Sequence, residues 1–174
     1  ETIATAKLNS NHAQLTETST RVGDTQRINF SADSNDGWWM MGGMMSEWDV
    51  SLTQKLPLSV TLQAGASNTE ADLSQAQLRS LVVEAGASNV RLTLGDKTNL
   101  TKLSLESGAS SIVLRVPKGS GIKLSIDGGL NSKDLSDLQR ISEDEYQTDQ
   151  YDSATHKIEV TASVGLASFT IERY

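Results

Sequence analysis

The tripeptide Gly-Ala-Ser stands at Gly65-Ala66-Ser67, Gly86-Ala87-Ser88 and Gly108-Ala109-Ser110, at intervals of 21 and 22 residues. One further period reaches Gly129, and Gly165-Leu166-Ala167-Ser168 follows 36 residues later, as if about 15 residues had been inserted. A fixed period of this length is the signature of a repeat architecture. Before each glycine apolar residues alternate with period two, as in Leu81/Val83/Ala85 and Ile158/Val160/Ala162/Val164. These are strands. After the glycine the alternation resumes on the opposite parity, as in Val90/Leu92/Leu94 and Ala167/Phe169/Ile171. An uninterrupted strand keeps its parity, because a one-residue slip turns every side chain to the other face. The flip therefore marks a corner at Gly65, Gly86, Gly108, Gly129 and Gly165. Glycine suits a corner because it tolerates positive φ.

Counted from the glycine, offsets −5 and −3 hold Val60/Leu62, Leu81/Val83, Leu103/Leu105, Leu124/Ile126 and Val160/Ala162, and offset +6 holds Ala71, Leu92, Leu114, Leu135 and Ile171. No single repeat can bury such a face, but stacking repeats at the strand spacing of about 4.8 Å turns these positions into continuous apolar columns. The pattern predicts an all-β fold, a stacked β-solenoid resembling a single-stranded β-helix, with coils of about 21 residues and Gly-Ala-Ser corners. A second corner is expected near Leu78 and Leu100, after polar turns, with Pro117-Lys118-Gly119-Ser120-Gly121 in the same place of the next coil. The competing arrangement is an antiparallel meander or sandwich, which does not require one glycine at a fixed offset in every repeat. Residues 56–174 form the repeats in this reading, with an inserted acidic loop at 142–153. Residues 1–55 supply one or two strands, near Arg27 to Ala32 and Trp48 to Leu52, and a cap over the solenoid end, all within one structural domain.

Composition narrows the function. The chain has 174 residues and a net charge of −7, which argues against nucleic acid as a partner, since phosphate binding needs a basic face. With no cysteine, disulfides, thiolate zinc sites and thiol catalysis are excluded. His12 and His156 are the only histidines, too few for a histidine-rich metal site and a poor basis for a Ser/His triad. Ser120-Gly121-Ile122-Lys123 matches S-x-x-K by letter, but on an alternating strand Ile122 and Lys123 face opposite sides. The carboxylates of Glu143, Asp144, Glu145, Asp149 and Asp152 raise the question of calcium, without the ligand spacing of a known loop. Asp33-Ser34-Asn35-Asp36-Gly37 begins like a calcium loop but places its glycine one position early, and reads as a turn. No catalytic, cofactor-binding or metal residue is assigned, and the chain is expected not to be an enzyme. A sugar-cleaving site would need carboxylates gathered on one face.

Trp38-Trp39-Met40-Met41-Gly42-Gly43-Met44-Met45 is the one concentrated apolar stretch, far short of the roughly 20 residues that span a bilayer. Trp38, Trp39, Met40, Met41, Met44 and Met45 are the candidate patch, either packed inside as part of the cap or exposed for a partner. Any membrane attachment is expected through a segment outside this chain, which begins with Glu1 and is read as processed or cut.

Several strings carry a family resemblance: Trp48-Asp49-Val50-Ser51-Leu52, the Leu56-Pro57-Leu58 that follows, Leu62 to Ser74, Leu78 to Gly95, Leu114 to Leu124, and the closing Tyr151 to Tyr174. Over about Trp48 to Tyr174 the chain resembles the toast-rack domain (DUF2154 type) of LiaF-like, cell-wall-active-antibiotics-response proteins of bacteria. That resemblance implies a non-enzymatic, extracytoplasmic β-solenoid module of an envelope protein, membrane-anchored or a lipoprotein, that senses or regulates envelope stress. Its partner would be another envelope protein or a second copy. The alternative is a surface adhesin or carbohydrate-binding solenoid, which a column of exposed aromatics would favour.

Overall fold

The computed structural model describes residues 3–10, 14–22, 25–33, 46–64, 68–135 and 137–174. The candidate patch from Trp38 to Met45, His12 and the corner Gly65 lie outside the described residues. Every described element is a strand, and among the described residues no helix is long and apolar enough to cross a membrane. The chain divides into two compact units, Glu1–Thr53 and Gln54–Tyr174.

In the first unit β1 (Ala4–Ser10) pairs antiparallel with β4 (Ser46–Leu52), and β2 (Gln14–Val22) forms a hairpin with β3 (Thr25–Asp33). The strands expected near Arg27 and Trp48 are β3 and β4. Register places Ala4 opposite Leu52 and Ala6 opposite Val50, so one face of the β1·β4 pair is apolar. Trp48 and Val50 on that face stay exposed, and no described side chain of this unit is buried.

The second unit holds β5 (Pro57–Ala64), β6 (Asn68–Leu73), β7 (Gln77–Ala85), β8 (Ser88–Leu94), β9 (Leu100–Val116), β10 (Gly121–Asp134), β11 (Gln139–Arg140), β12 (Glu145–Gln147) and β13 (Lys157–Arg173). Equivalent parts of the repeats pair in parallel and in register: Val60 with Leu81, Leu81 with Leu103, and Ala71 with Leu92. The parity flip is physical. On β9 the buried positions are Thr101, Leu103 and Leu105 before the corner and Ile112, Leu114 and Val116 after it; on β13 they change from Val164 to Ala167 across Gly165. Leu81, Leu92, Leu94, Leu114, Val116, Ile122, Leu124 and Phe169 have no exposed surface. Each such aliphatic or aromatic side chain contributes about 1.5–3 kcal/mol of burial.

Four details correct the expectation. The repeats do not stack in chain order: the path runs β5-β7-β9-β13-β10, with the last repeat between the third and the fourth. Val160 pairs with Leu103 on one side and Leu124 on the other, so the columns stay filled. The corner glycines do not share one φ: the left-handed glycine among the described residues is Gly128, at φ 125°, one residue before the expected Gly129, while at Gly165 a Cβ would meet the Gly108 carbonyl oxygen at 2.7 Å. A register shift falls between Gly128 and Gly129. At the second corner Leu78 is buried but Leu100 is exposed, and the inward residue there is Thr101, whose hydroxyl donates to the Leu78 carbonyl at 2.9 Å. Finally, the 142–153 stretch is not only a loop. Glu145–Gln147 runs antiparallel to β10, Tyr146 and Thr148 are buried, and the Thr148 N–H and hydroxyl oxygen bond the Ile122 carbonyl and N–H at 3.0 Å each. This antiparallel strand covers part of the β10 edge.

The inserted strand is fastened at both ends. Lys157 N–H donates to Asn99 O and Gly121 N–H to His156 O, both at 2.9 Å. At the far end Tyr174 N–H donates to Val116 O, Lys118 N–H to Tyr174 O, and the Tyr174 hydroxyl to Leu94 O at 2.8 Å. The Arg173 guanidinium, 8% exposed, donates to the carbonyls of Pro117 at 3.2 Å and Ser120 at 3.1 Å, and sits 3.8 Å from the Asp137 carboxylate. Burial holds its pKa below the usual arginine value, partly offset by Asp137.

Candidate interaction surface

Because every other residue of a strand faces out, parallel register lines up the outward side chains of successive repeats in rows. Two residues before the corner the row reads, in spatial order, Gln63, Glu84, Glu106, Ser163 and Asp127. Glu84 accepts a hydrogen bond from the Gln63 amide at 2.7 Å. Beside it lies a shallow open notch lined by Gln63, Glu84, Gly86, Glu106, Ser107 and Gly108, whose floor is backbone because the corner glycines lack side chains. Ser107 and Ser110 turn their hydroxyls to the Gly86 carbonyl at 3.5 and 3.3 Å and to each other. The period hides this acidic row from a search for catalytic motifs, although Glu84, Glu106 and Asp127 recur at offset −2. Two carboxylates on neighbouring strands are thus brought together, but in the open, without the apolar pocket that keeps a catalytic acid protonated.

Beyond the corner each of two outward rows carries one pair of opposite charges on neighbouring strands. Glu70 pairs in register with Arg91, and Arg115 with Glu172. The Glu172 carboxylate lies 3.2 Å from Arg115 Nε and 3.7 Å from Arg91 Nη1, and Arg115 stacks 5.5 Å from the centre of the Tyr174 ring. Burial raises the Tyr174 pKa, with Asp72 and Asp96 adding to the effect. Tyr151 is raised as well, by burial and by its hydroxyl's hydrogen bond to Glu159 at 3.0 Å. Asn89 donates to Asn68 across β8 and β6 at 2.9 Å, a short side-chain ladder along the stack.

The other residues raised by the sequence are not brought into one site. Ser120 is buried with its hydroxyl unpartnered, so it makes no bond to Lys123. His156 is half-buried and its Nδ1 lies 3.2 Å from Thr98 O. Among the described residues no group of three or more acidic or histidine side chains converges on a point that could hold a metal ion. The exposed aromatics described are Trp48 and Tyr174, in different units, and they form no column.

The whole chain superposes on the crystal structure of a candidate cell adhesion protein from Clostridium sporogenes, with a TM-score of 0.90 and 23% identity over 100% of this chain and 84% of that one. At that identity the likeness speaks for the fold. None of the curated proteins matches the chain. A family model described as the N-terminal domain of toast_rack, DUF2154, matches residues 1–115. The match takes in the N-terminal segment that the sequence resemblance left out, and ends within β9. Covering well over half of the sequence, it places this chain in the toast_rack (DUF2154) family.

Proposed function

We propose that the chain is a non-enzymatic interaction module of a bacterial cell envelope, in which a β-solenoid holds outward rows of side chains at fixed spacing for a protein partner. The observation that carries this reading is the register of the second unit. Six parallel pairings align each outward row to within one residue, and the core behind them is filled. Such a body displays a surface without enclosing a substrate. Family membership supports the envelope setting, and with it an extracytoplasmic place and a sensing or regulatory role of the LiaF-like kind. The test is fractionation of cells that make the full-length protein, followed by photocrosslinking from the exposed rows. Recovery with the envelope and a crosslink to an envelope protein is the expected result; a cytosolic protein without crosslinks overturns it.

A second reading, a surface adhesin, is favoured by the description of the Clostridium sporogenes structure as a candidate cell adhesion protein. Binding of the isolated chain to whole cells or to a glycan array, lost on charge reversal in the Glu84/Glu106 row, distinguishes it.

A further inference from the structure

Among the described residues the two ends of the parallel stack are finished differently. At the β10 end, β12 lies antiparallel across Lys123–Ser125, and Leu124 and Ile126 beneath it are 0% and 5% exposed. At the other end, among the described residues, β5 pairs with β7 alone and β6 with β8 alone. The column members there, Val60, Leu62 and Ala71, are half-exposed, whereas the next members inward, Leu81, Val83 and Leu92, are at most 2% exposed. A strand edge with an unfinished apolar column is a template for one more strand. The stack already accepts a strand from elsewhere in the chain, since β13 enters between β9 and β10.

Charge selects the occupant. The outward residues of β6 are Asn68, Glu70 and Asp72, all exposed, and the last two are acidic. A second copy pairing antiparallel about Ala71 would set Glu70 against Asp72 of its mate, and like charges directly opposite are destabilising. Within the stack the position beside Glu70 is filled by Arg91. We infer that the β5–β6 edge is a β-augmentation site for an extended segment of a partner protein in which apolar residues alternate with lysine or arginine. The apolar residues extend the columns of Val60, Leu62 and Ala71, and the basic ones meet Glu70 and Asp72. This deepens the interaction-module reading and rests on it. It is tested in vitro, so its failure leaves the envelope setting, tested by fractionation, untouched.

The experiment uses the whole 174-residue chain and three fluorescent peptides: one alternating Lys and Val/Leu, one with Glu in place of Lys, and a scramble of the first. Anisotropy gives affinity, and hydrogen exchange with mass spectrometry gives location. The alternating basic peptide is expected to bind at least tenfold tighter than the other two and to slow exchange within Pro57–Ala64 and Asn68–Leu73. Glu70→Lys should weaken it about tenfold, each opposed charge pair being worth up to about one decade when reversed. Exchange on β9 and β13, unchanged in that variant, reports that the fold is intact. Equal binding of the scramble overturns the proposal, because attraction to a chain of charge −7 would then suffice. So does protection of the edge amides in the chain alone, or binding without protection at the edge.

Discussion

Gly128 lies against the backbone of Val164 so closely that a Cβ built on it would stand 1.6 Å from the Val164 carbonyl oxygen, and its φ of 125° belongs to glycine. The inserted strand and its neighbour thus meet backbone to backbone at this corner. Gly128→Ala combines backbone strain with a contact that only movement of β13 relieves, and should cost about 3 kcal/mol or more. Gly119, with nothing within 4 Å of its Cβ position, is the control, expected to change stability by less than about 0.5 kcal/mol on substitution with alanine. Urea unfolding of both variants makes the comparison.

The corners were legible because parity is a property of residue order alone. Leu105 and Ile112 are seven residues apart and both buried, which no uninterrupted period of two allows. What each corner glycine does was less legible. Gly165 is required because a Cβ there would come 2.7 Å from the Gly108 carbonyl oxygen of the next strand, a relationship set by stacking and invisible along the chain. That Thr101 rather than its neighbour Leu100 turns inward at the second corner has the same origin, since its hydroxyl is satisfied by a carbonyl one repeat away.

Leu92 has no exposed surface and lies mid-column between Ala71 and Leu114. Leu92→Ala should destabilise the second unit by about 2–5 kcal/mol, the cost of lost burial plus a cavity that the flanking strands cannot close. The equivalent truncation at half-exposed Leu62 should cost less than half as much. Chemical denaturation followed by far-ultraviolet circular dichroism tests the gradient, and equal losses would mean that Leu62 is covered in solution.

Asp72 ties its carboxylate to the Ser74 N–H at 2.9 Å, and this bond, with a smaller contribution from the Arg115 charge, holds its pKa below the ordinary 3.8. In the pH range between the lowered native value and the unfolded value, the unfolded chain binds more protons than the native one. The stabilisation is therefore complete above the unfolded value and is lost as pH falls through the native one. Asp72→Asn should flatten that part of the acid limb of a stability–pH curve and leave the curve near pH 7 shifted by a constant. An unchanged acid limb would show that the carboxylate is not held.

Arg173 was not singled out by its sequence, because an arginine near the end of a strand reads as exposed; only the chain passing overhead at Pro117 and Ser120 buries it. Arg173→Met keeps the apolar stem but leaves both carbonyls without their charged donor. About 1–3 kcal/mol should be lost. Hydrogen exchange should localise the loosening to Lys118 and Tyr174, whose mutual backbone bond the guanidinium braces; loss spread evenly over the second unit would contradict this clamp.

The strand order itself was not legible, since β10 and β13 carry the same column pattern and either order buries the same residues. Cysteine pairs decide between the orders, in a chain with no cysteine of its own. Thr161 is registered with Ser125 on one side and Ser104 on the other, all three facing out. Neighbouring strands put Cα atoms about 4.8 Å apart, within the 4.4–6.8 Å that a disulfide spans, while strands two places apart are near 9.6 Å and beyond it. Ser125→Cys/Thr161→Cys and Ser104→Cys/Thr161→Cys should therefore each oxidise quantitatively, and Ser104→Cys/Ser125→Cys should stay reduced. A stack in chain order makes Ser104 and Ser125 neighbours and reverses the outcome for that pair. Thiol titration after mild oxidation reads the result directly.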